Sequence, residues 1–353
     1  MNRSELLQQA EYTPVFKDQC FAREVLSDID CSNLVFEDCD FSGAILTQAE
    51  LKGAIFRRCR FDDTRFHKAN LTRTVMENCQ FERSDFQGTE LNSTLFTKSN
   101  LSQCDLRQGH SENTIFKGCE LEEIEWSQAS LKRVIFQKCS LEQCNWSQSR
   151  LTTVVVQECA LESIDLQEAL LEKSYLAKLD LRPLQLKGAR FYAVQLNECQ
   201  MQEMDLGGLR MPHCFFISSD LSGANLEGIE APYSVFQKAN LSGASFIRSN
   251  LQNANFDSAR LKDTDFSGSV LLQGVMTTLE GEGGRWLECD CRYADFSYAS
   301  LKQADFSGAN LSHAKFHRSV LEGVEWQGAN RFAVTGTDDD LYEAETWSLR
   351  RDG

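Results

Sequence analysis

The sequence predicts a solenoid, and three observations predict it. From Phe16 to Trp326 a large apolar residue returns every fifth position without a change of phase. Of the 63 positions in this register, only Cys31, Ser111, Ala231, Gly281 and Cys291 are not Phe, Leu, Met, Val or Trp. Two residues before each of these centres stands a mostly small residue, Ala, Cys, Ser, Thr, Gly or Val. Finally, the centres repeat in kind every twenty residues. Phe36, Phe56, Phe96, Phe116, Phe136, Phe236, Phe256 and Phe296 share one column, Leu101 to Leu321 mark a second, and Trp126, Trp146, Trp286 and Trp326 fall in a third.

An amphipathic helix would return at 3.6 residues and a half-buried strand at 2. A strict period of five instead requires a turn every five residues, and such short repeats signal a solenoid. The overlying period of twenty gives each coil four sides of five residues. Residues 14–330 then make about sixteen coils, each touching only its neighbours, so the two ends need covers.

The elements follow in order. Residues 1–13 lack the repeat and read as an N-terminal cap, a short helix with Ser4 as the capping candidate and Leu6, Leu7 and Ala10 facing the first coil. The five-residue repeat, the β-helix of the family reading below, occupies 14–330. It is weakest around 275–288, where Gly281-Glu282-Gly283-Gly284 reads as a distorted coil or protruding loop and a candidate contact site. That run has no following Lys-Ser or Lys-Thr for phosphate binding. Residues 331–353 read as a capping or interaction segment, most simply a helix. Asp338, Asp339 and Asp340 would sit at its N-terminus and Arg350 and Arg351 at its C-terminus, as the helix dipole favours. Leu341, Tyr342, Ala344, Trp347 and Leu349 supply its apolar surface.

Runs such as Ala239-Asn240-Leu241-Ser242-Gly243, Ala304-Asp305-Phe306-Ser307-Gly308 and Ala224-Asn225-Leu226-Glu227-Gly228 resemble the pentapeptide-repeat family. Its consensus is Ala, Asp or Asn, Leu or Phe, then two variable residues. The resemblance implies an all-β fold, a right-handed quadrilateral parallel β-helix, with the centre and the small residue before it inward and the other three positions outward. It also implies binding rather than catalysis. Some members mimic duplex DNA and protect type II topoisomerases such as DNA gyrase from quinolones. Long Cys-rich members resemble proteins of type VI secretion clusters, and some relatives pair through a C-terminal element.

Fourteen cysteines suggest disulfides or metal, but their positions suggest packing. Eleven, such as Cys39, Cys59, Cys79, Cys119, Cys139 and Cys159, take the small inward position, Cys31 and Cys291 are centres, and only Cys20 stands outside the pattern. A free Cys behaves there as a small hydrophobe. Cys289 and Cys291 are too close in sequence for a zinc knuckle. No metal, cofactor or catalytic constellation is expected, since no nucleophile elbow, zincin, Walker or dinucleotide motif occurs.

Function must then lie on the outward residues. The net charge is −16, which disfavours direct nucleic-acid binding despite the cluster Arg57, Arg58, Arg60, Arg65, Lys68 and Arg73. Asp62, Glu82, Glu122, Glu142 and Glu162 fall in one twenty-residue column and Asp85, Asp105 and Glu125 in another. Stacked like charges repel, so these columns are candidate interaction sites, with Trp347 a third. The absence of an apolar span or signal region points to a cytoplasmic protein, with signal-less secretion left open. The expectation is a noncatalytic, rigid protein-binding scaffold, an adaptor for a secretion or effector protein, with no membrane partner, monomeric or dimeric through its C-terminal segment. The alternative is a DNA-mimicking topoisomerase protector.

Overall fold

A computed structural model describes residues 1–347. Each step of the chain is built from a repeated local solution. The centre's carbonyl accepts the N–H three residues on, as in Ala44 to Phe41 at 2.9 Å, Ala239 to Phe236 at 3.0 Å and Ala304 to Leu301 at 3.1 Å. The third residue of each turn except that at Pro183 is left-handed, with φ of 67° at Gly43 and 57° at Lys238 and Gln303, which is why this outward position accepts Gly so often. The Asp or Asn before the centre folds its side chain onto the N–H two residues ahead: Ser42 donates to Asp40 at 2.9 Å, Thr72 to Asn70 at 3.0 Å and Ser307 to Asp305 at 2.9 Å. That Asx turn pre-forms the corner. Each consensus residue therefore has a physical task.

Corners stack because each coil's backbone pairs with the next. Phe41 N–H donates to the Arg60 carbonyl at 2.7 Å and Arg60 N–H to the Cys39 carbonyl at 3.0 Å, a parallel register of twenty residues. The result is a parallel β-solenoid, as the periodicity predicts. The chain divides into two compact units, Met1–Arg190 and Phe191–Gly353.

In the first unit one side straightens into a three-residue strand in eight successive coils. Val15–Lys17, Val35–Glu37, Ile55–Arg57, Val75–Glu77, Leu95–Thr97, Ile115–Lys117, Ile135–Gln137 and Val155–Gln157 form an eight-stranded parallel sheet. A second side pairs His110–Glu112, Ser130–Lys132, Arg150–Thr152 and Leu170–Glu172 in the same way. The middle residue of each strand is buried, and the rings stack coil on coil. Phe36 lies 5.1 Å from Phe16 and 5.0 Å from Phe56, and Phe116 and Phe136 are 5.1 Å apart. Such pairs add about 0.5–1.5 kcal/mol each beyond area burial. The indole N–H groups of Trp126 and Trp146 are buried without an acceptor, so these rings serve as volume rather than as polar anchors.

The second unit keeps the register with bridges in place of strands, from Gln195 with Phe215 to Lys315 with Thr335. Phe236, Phe256 and Phe296 are fully buried. The weak stretch around 275–288 is neither a loop nor a distortion: Val275 bridges Asp295, Glu280 bridges Ser300 and Arg285 bridges Asp305. Its glycines are a packing requirement instead. A Cβ on Gly281 would lie 2.9 Å from Leu279 and 3.2 Å from Leu301, and one on Gly284 would lie 3.0 Å from the Trp286 indole nitrogen. Large neighbours fill the space that a regular centre would occupy, so the sequence pattern fades where the fold does not.

The helices differ from expectation in detail. The first, α1 (Arg3–Ala10), is capped by Asn2 rather than Ser4. Asn2 accepts the Glu5 N–H at 3.0 Å while Glu5 accepts the Asn2 N–H at 2.9 Å, a reciprocal pair that Ser4 lacks. Only Leu6 is buried; Leu7, a hundred degrees round the helix, stays exposed. The second, α2 (Asp339–Thr346), starts at Asp338, whose carboxylate accepts the Leu341 N–H at 2.9 Å. It buries none of its residues. Glu345 anchors it to Tyr298, to His317 at 3.3 Å and to Arg318 at 2.9 Å. The Tyr298 hydroxyl, then Arg318, hold the Glu345 carboxyl down at about 2. Leu321 and Phe332 on the final coil remain 37% and 68% exposed. Leu349, Arg350 and Arg351 lie outside the described residues.

The cysteines are free thiols, twelve buried, Cys159 half-buried and Cys20 exposed. At the small inward position they share a task with Ser and Thr. The Cys59 thiol donates to the Phe36 carbonyl at 3.4 Å, as the Thr64 hydroxyl does to Phe41 at 2.8 Å and Ser84 to Phe61 at 2.6 Å. Burial pushes the thiols of Cys31 and Cys144 up to about 12.

Two outcomes follow from this packing. Phe36→Ala removes a ring held between two others and should cost about 3–5 kcal/mol, read from the denaturant midpoint; a loss under about 1 kcal/mol would show that the column is not close-packed. Brief iodoacetamide treatment of native protein should alkylate Cys20 alone, whereas denatured protein should take up fourteen adducts. Peptide mass mapping that found Cys39 or Cys139 modified as fast as Cys20 would refute the thiol burial.

Candidate interaction surface

The two acidic columns named from the sequence both lie in the first unit, and the backbone stacks them as the period requires. Asp63 N–H donates to the Glu82 carbonyl at 3.0 Å, Gln103 to Glu122 at 2.8 Å, Glu123 to Glu142 at 2.8 Å and Gln143 to Glu162 at 2.7 Å. Asp85 bridges Asp105, Asp105 bridges Glu125, and Glu125 bridges Asn145, which bridges Asp165. The fold thus places carboxylates one above another at the coil repeat of about 4.8 Å.

Close inspection shows how the repulsion is relieved. Arg60 holds Asp62 at 2.6 Å, and Arg83 reaches both Glu82 and, at 3.0 Å, Asp63. Arg107 folds back onto Asp105 with contacts of 2.6 and 2.9 Å. Burial opposes the charge of Asp105, but the hydrogen bonds from Arg107 outweigh it and its carboxyl sits below the ordinary range. Arg83 does the same for Asp63. Asn145 donates to Glu125 at 2.9 Å and Ser140 to Glu122 at 3.1 Å. Glu142 and Glu162 make no side-chain hydrogen bond or ion pair among the described residues, so they are the carboxylates most open to a partner. Exposed ion pairs of this kind contribute at most about 1 kcal/mol each.

Trp347 belongs to the second unit. It follows the last turn of α2 and is 71% exposed, a large apolar side chain held at the surface. Sequence reasoning passed over another surface of the first unit: the residue before each inward strand centre is aliphatic in coil after coil, Val15, Val35, Ile55, Val75, Leu95, Ile115, Ile135 and Val155. Reading the outward positions by twenties, as was done for the centres, reveals it.

Among the described residues no group of three or more His, Cys, Asp and Glu side chains could hold a metal ion, and no helix is long and apolar enough to cross a membrane. The basic cluster is also divided by the fold. Arg57 pairs with Glu37 at 3.1 Å and Arg58 with Asp38 at 2.7 Å, while Arg60 turns to Asp62 on another side of the coil.

Comparison with known proteins agrees with this architecture. The family model for a pentapeptide repeat region matches residues 45–126 and 110–186. The model for pentapeptide repeats in eight copies matches residues 25–63, 234–271 and 288–324. No curated protein matches. Among solved structures, the chain is similar to HetL, a pentapeptide repeat protein involved in heterocyst differentiation regulation from the cyanobacterium Nostoc sp. strain PCC 7120. Identity is 22% over 71% of this chain and 89% of that one, with a TM-score of 0.20. It is also similar to full-length QnrB1, a plasmid-mediated fluoroquinolone resistance protein, at 13% identity over 94% of this chain and all of that one, TM-score 0.23. Rfr23 from the cyanobacterium Cyanothece 51142 gives 18% over 49% and 91%, TM-score 0.19. The family-model matches together span most of the chain and fall on the repeats whose corners and columns are described above, and on that ground the chain belongs to the pentapeptide-repeat proteins.

Proposed function

We propose that this protein is a noncatalytic scaffold that binds other proteins, an adaptor working in the cytoplasm and linked to bacterial type VI secretion. One observation carries the binding role: outward side chains stand in register, coil above coil, on a frame whose inward positions are closed. Such a frame presents linear arrays of one chemistry, which suits recognition of an extended partner surface. The secretion link rests on the resemblance to long Cys-rich repeat chains. Glu122, whose carboxylate accepts from Ser140, and the open carboxylates of Glu142 and Glu162 form the proposed contact line.

A second reading, mimicry of DNA toward a type II topoisomerase, is favoured by the stacking of Asp85, Asp105 and Glu125. Magnitude tells against it. Duplex DNA carries one charge per ~1.7 Å of axis, whereas a column offers at most one per coil, about 4.8 Å, and arginines already neutralise Asp62, Asp63 and Asp105.

Self-association is proposed to run through the C-terminal segment, with Trp347 as its anchor.

Two measurements test these readings. In a pull-down from native lysate, wild type should enrich a discrete protein that the triple variant Glu122→Lys, Glu142→Lys, Glu162→Lys loses at least tenfold. Topoisomerase subunits in that band would move the conclusion to the second reading, and equal recovery by both baits would remove the acidic column from the interface. For self-association, light scattering should give a dimer for wild type and a single-chain mass for Trp347→Ala; identical masses would exclude Trp347 as the contact.

A further inference from the structure

The aliphatic row on the eight-stranded sheet has no role in the core, because its side chains point outward. In each strand the middle residue is buried, while Ile115 and Ile135 are 36% and 37% exposed, Val15 is also exposed and the other five row members are half-buried. Strand preference alone does not demand such a row. Thr is as suited to a strand as Val or Ile and occupies other outward sites, among them Thr72 and Thr97, yet none of the eight strands begins with it.

The surroundings of the row are basic, on a chain of net charge −16. Lys52, Arg73, Lys98 and Lys117 each lie within three residues of a row position, and none has an acidic partner among the described residues. The acids within three residues of the same row positions are already engaged, Glu77 by Arg57 at 3.6 Å and Glu112 by Lys132 at 3.1 Å and by Arg133. An aliphatic line flanked by unpaired cations is therefore set against the acidic columns on other sides of the same coils.

We infer that this face docks an acidic amphipathic α-helix of a partner protein, its aliphatic seam along the row and its carboxylates toward Lys52, Arg73, Lys98 and Lys117. The inference rests on the scaffold reading and names a partner chemistry for it. Charge complementarity selects the occupant: a second copy in a two-fold contact would bring one basic face against another. The repeat distances are close between neighbouring coils and drift by about 4 Å over seven. Row positions recur at about 4.8 Å and helix turns at 5.4 Å. The seven coil steps from Val15 to Val155 span roughly 34 Å, against about 31 Å for a 21-residue helix. The aliphatic line also lacks the aromatic platforms on which single-stranded nucleic acid stacks.

The test uses the full chain and synthetic probes. A 21-residue helical peptide with a Leu seam flanked by Glu is titrated by fluorescence anisotropy, beside the same peptide with Lys for Glu and a 20-base-pair DNA duplex. The Glu peptide should bind at least tenfold tighter than the Lys peptide and weaken as salt rises. Ile115→Thr with Ile135→Thr, which keeps β-branching, and separately Lys98→Glu with Lys117→Glu, should each weaken it at least fivefold with an unchanged melting curve. Equal binding of the two peptides, insensitivity to both double variants, no binding, or preference for the duplex would each overturn the inference, as would wild-type dimers broken by the Ile pair. If the Glu peptide fails while the lysate partner still depends on Glu122, Glu142 and Glu162, the scaffold reading stands and only this face is lost.

Discussion

The twenty-residue backbone register is the constraint on which the rest of the structure depends. Within each unit, coil donates to coil through bonds such as Phe41 to Arg60 and Phe256 to Val275, both 2.7 Å, and a slip of one residue would turn the inward side chains outward. Stacked Phe rings reward that register from within, and Asx turns and left-handed residues fix the corner spacing that makes it repeat. Backbone pairing, core packing and turn chemistry thus specify one period together, the consistency expected of a foldable sequence. The small inward position illustrates the economy. Ala, Cys, Ser and Thr all fit, and the last three add a donor to the carbonyl of the coil before.

Most of this was legible because a period of five cannot arise from a helix or an ordinary strand. The Phe, Leu and Trp columns, the inward cysteines and the acidic columns were all readable from position alone. The errors fell where position ceases to be informative. Asn2 displaces Ser4 as the helix cap because Glu5 stands three residues after Asn2, a relation that only the helix start makes decisive. The Gly281 to Gly284 run looked like a loop because the residues that compensate, Leu279, Leu301 and Trp286, lie partly in other coils. The aliphatic row was visible in the sequence but was not sought, since a Val or Ile before a Phe reads as core until alternation on a strand shows it to be outward.

The same register turns surface composition into geometry. In an irregular fold, Glu122, Glu142 and Glu162 would be three unrelated surface acids; here each lies one coil from the next. Stacking raises their mutual repulsion, and the chain answers it locally, with Arg60, Arg83 and Arg107 at some levels and Ser140 or Asn145 at others. Glu142 and Glu162 are left open. Relief that is complete at one end of a column and absent at the other marks a difference that the fold itself does not require, since the backbone is the same at both levels.

A solenoid recognises by addition. Each coil contributes one row of outward residues, exposed contacts of this kind are individually worth little, and useful affinity therefore needs several coils acting in line. The acidic column and the basic aliphatic row meet that condition in different ways. The acids offer charge without apolar surface, so their binding would be long-ranged and sensitive to salt. The row joins apolar burial, at roughly 25 cal/mol per Å², to unpaired cations that set orientation and reject a like-charged partner. The row is thus the surface better suited to hold one acidic partner in one register, while the acidic column is better suited to attract a basic one.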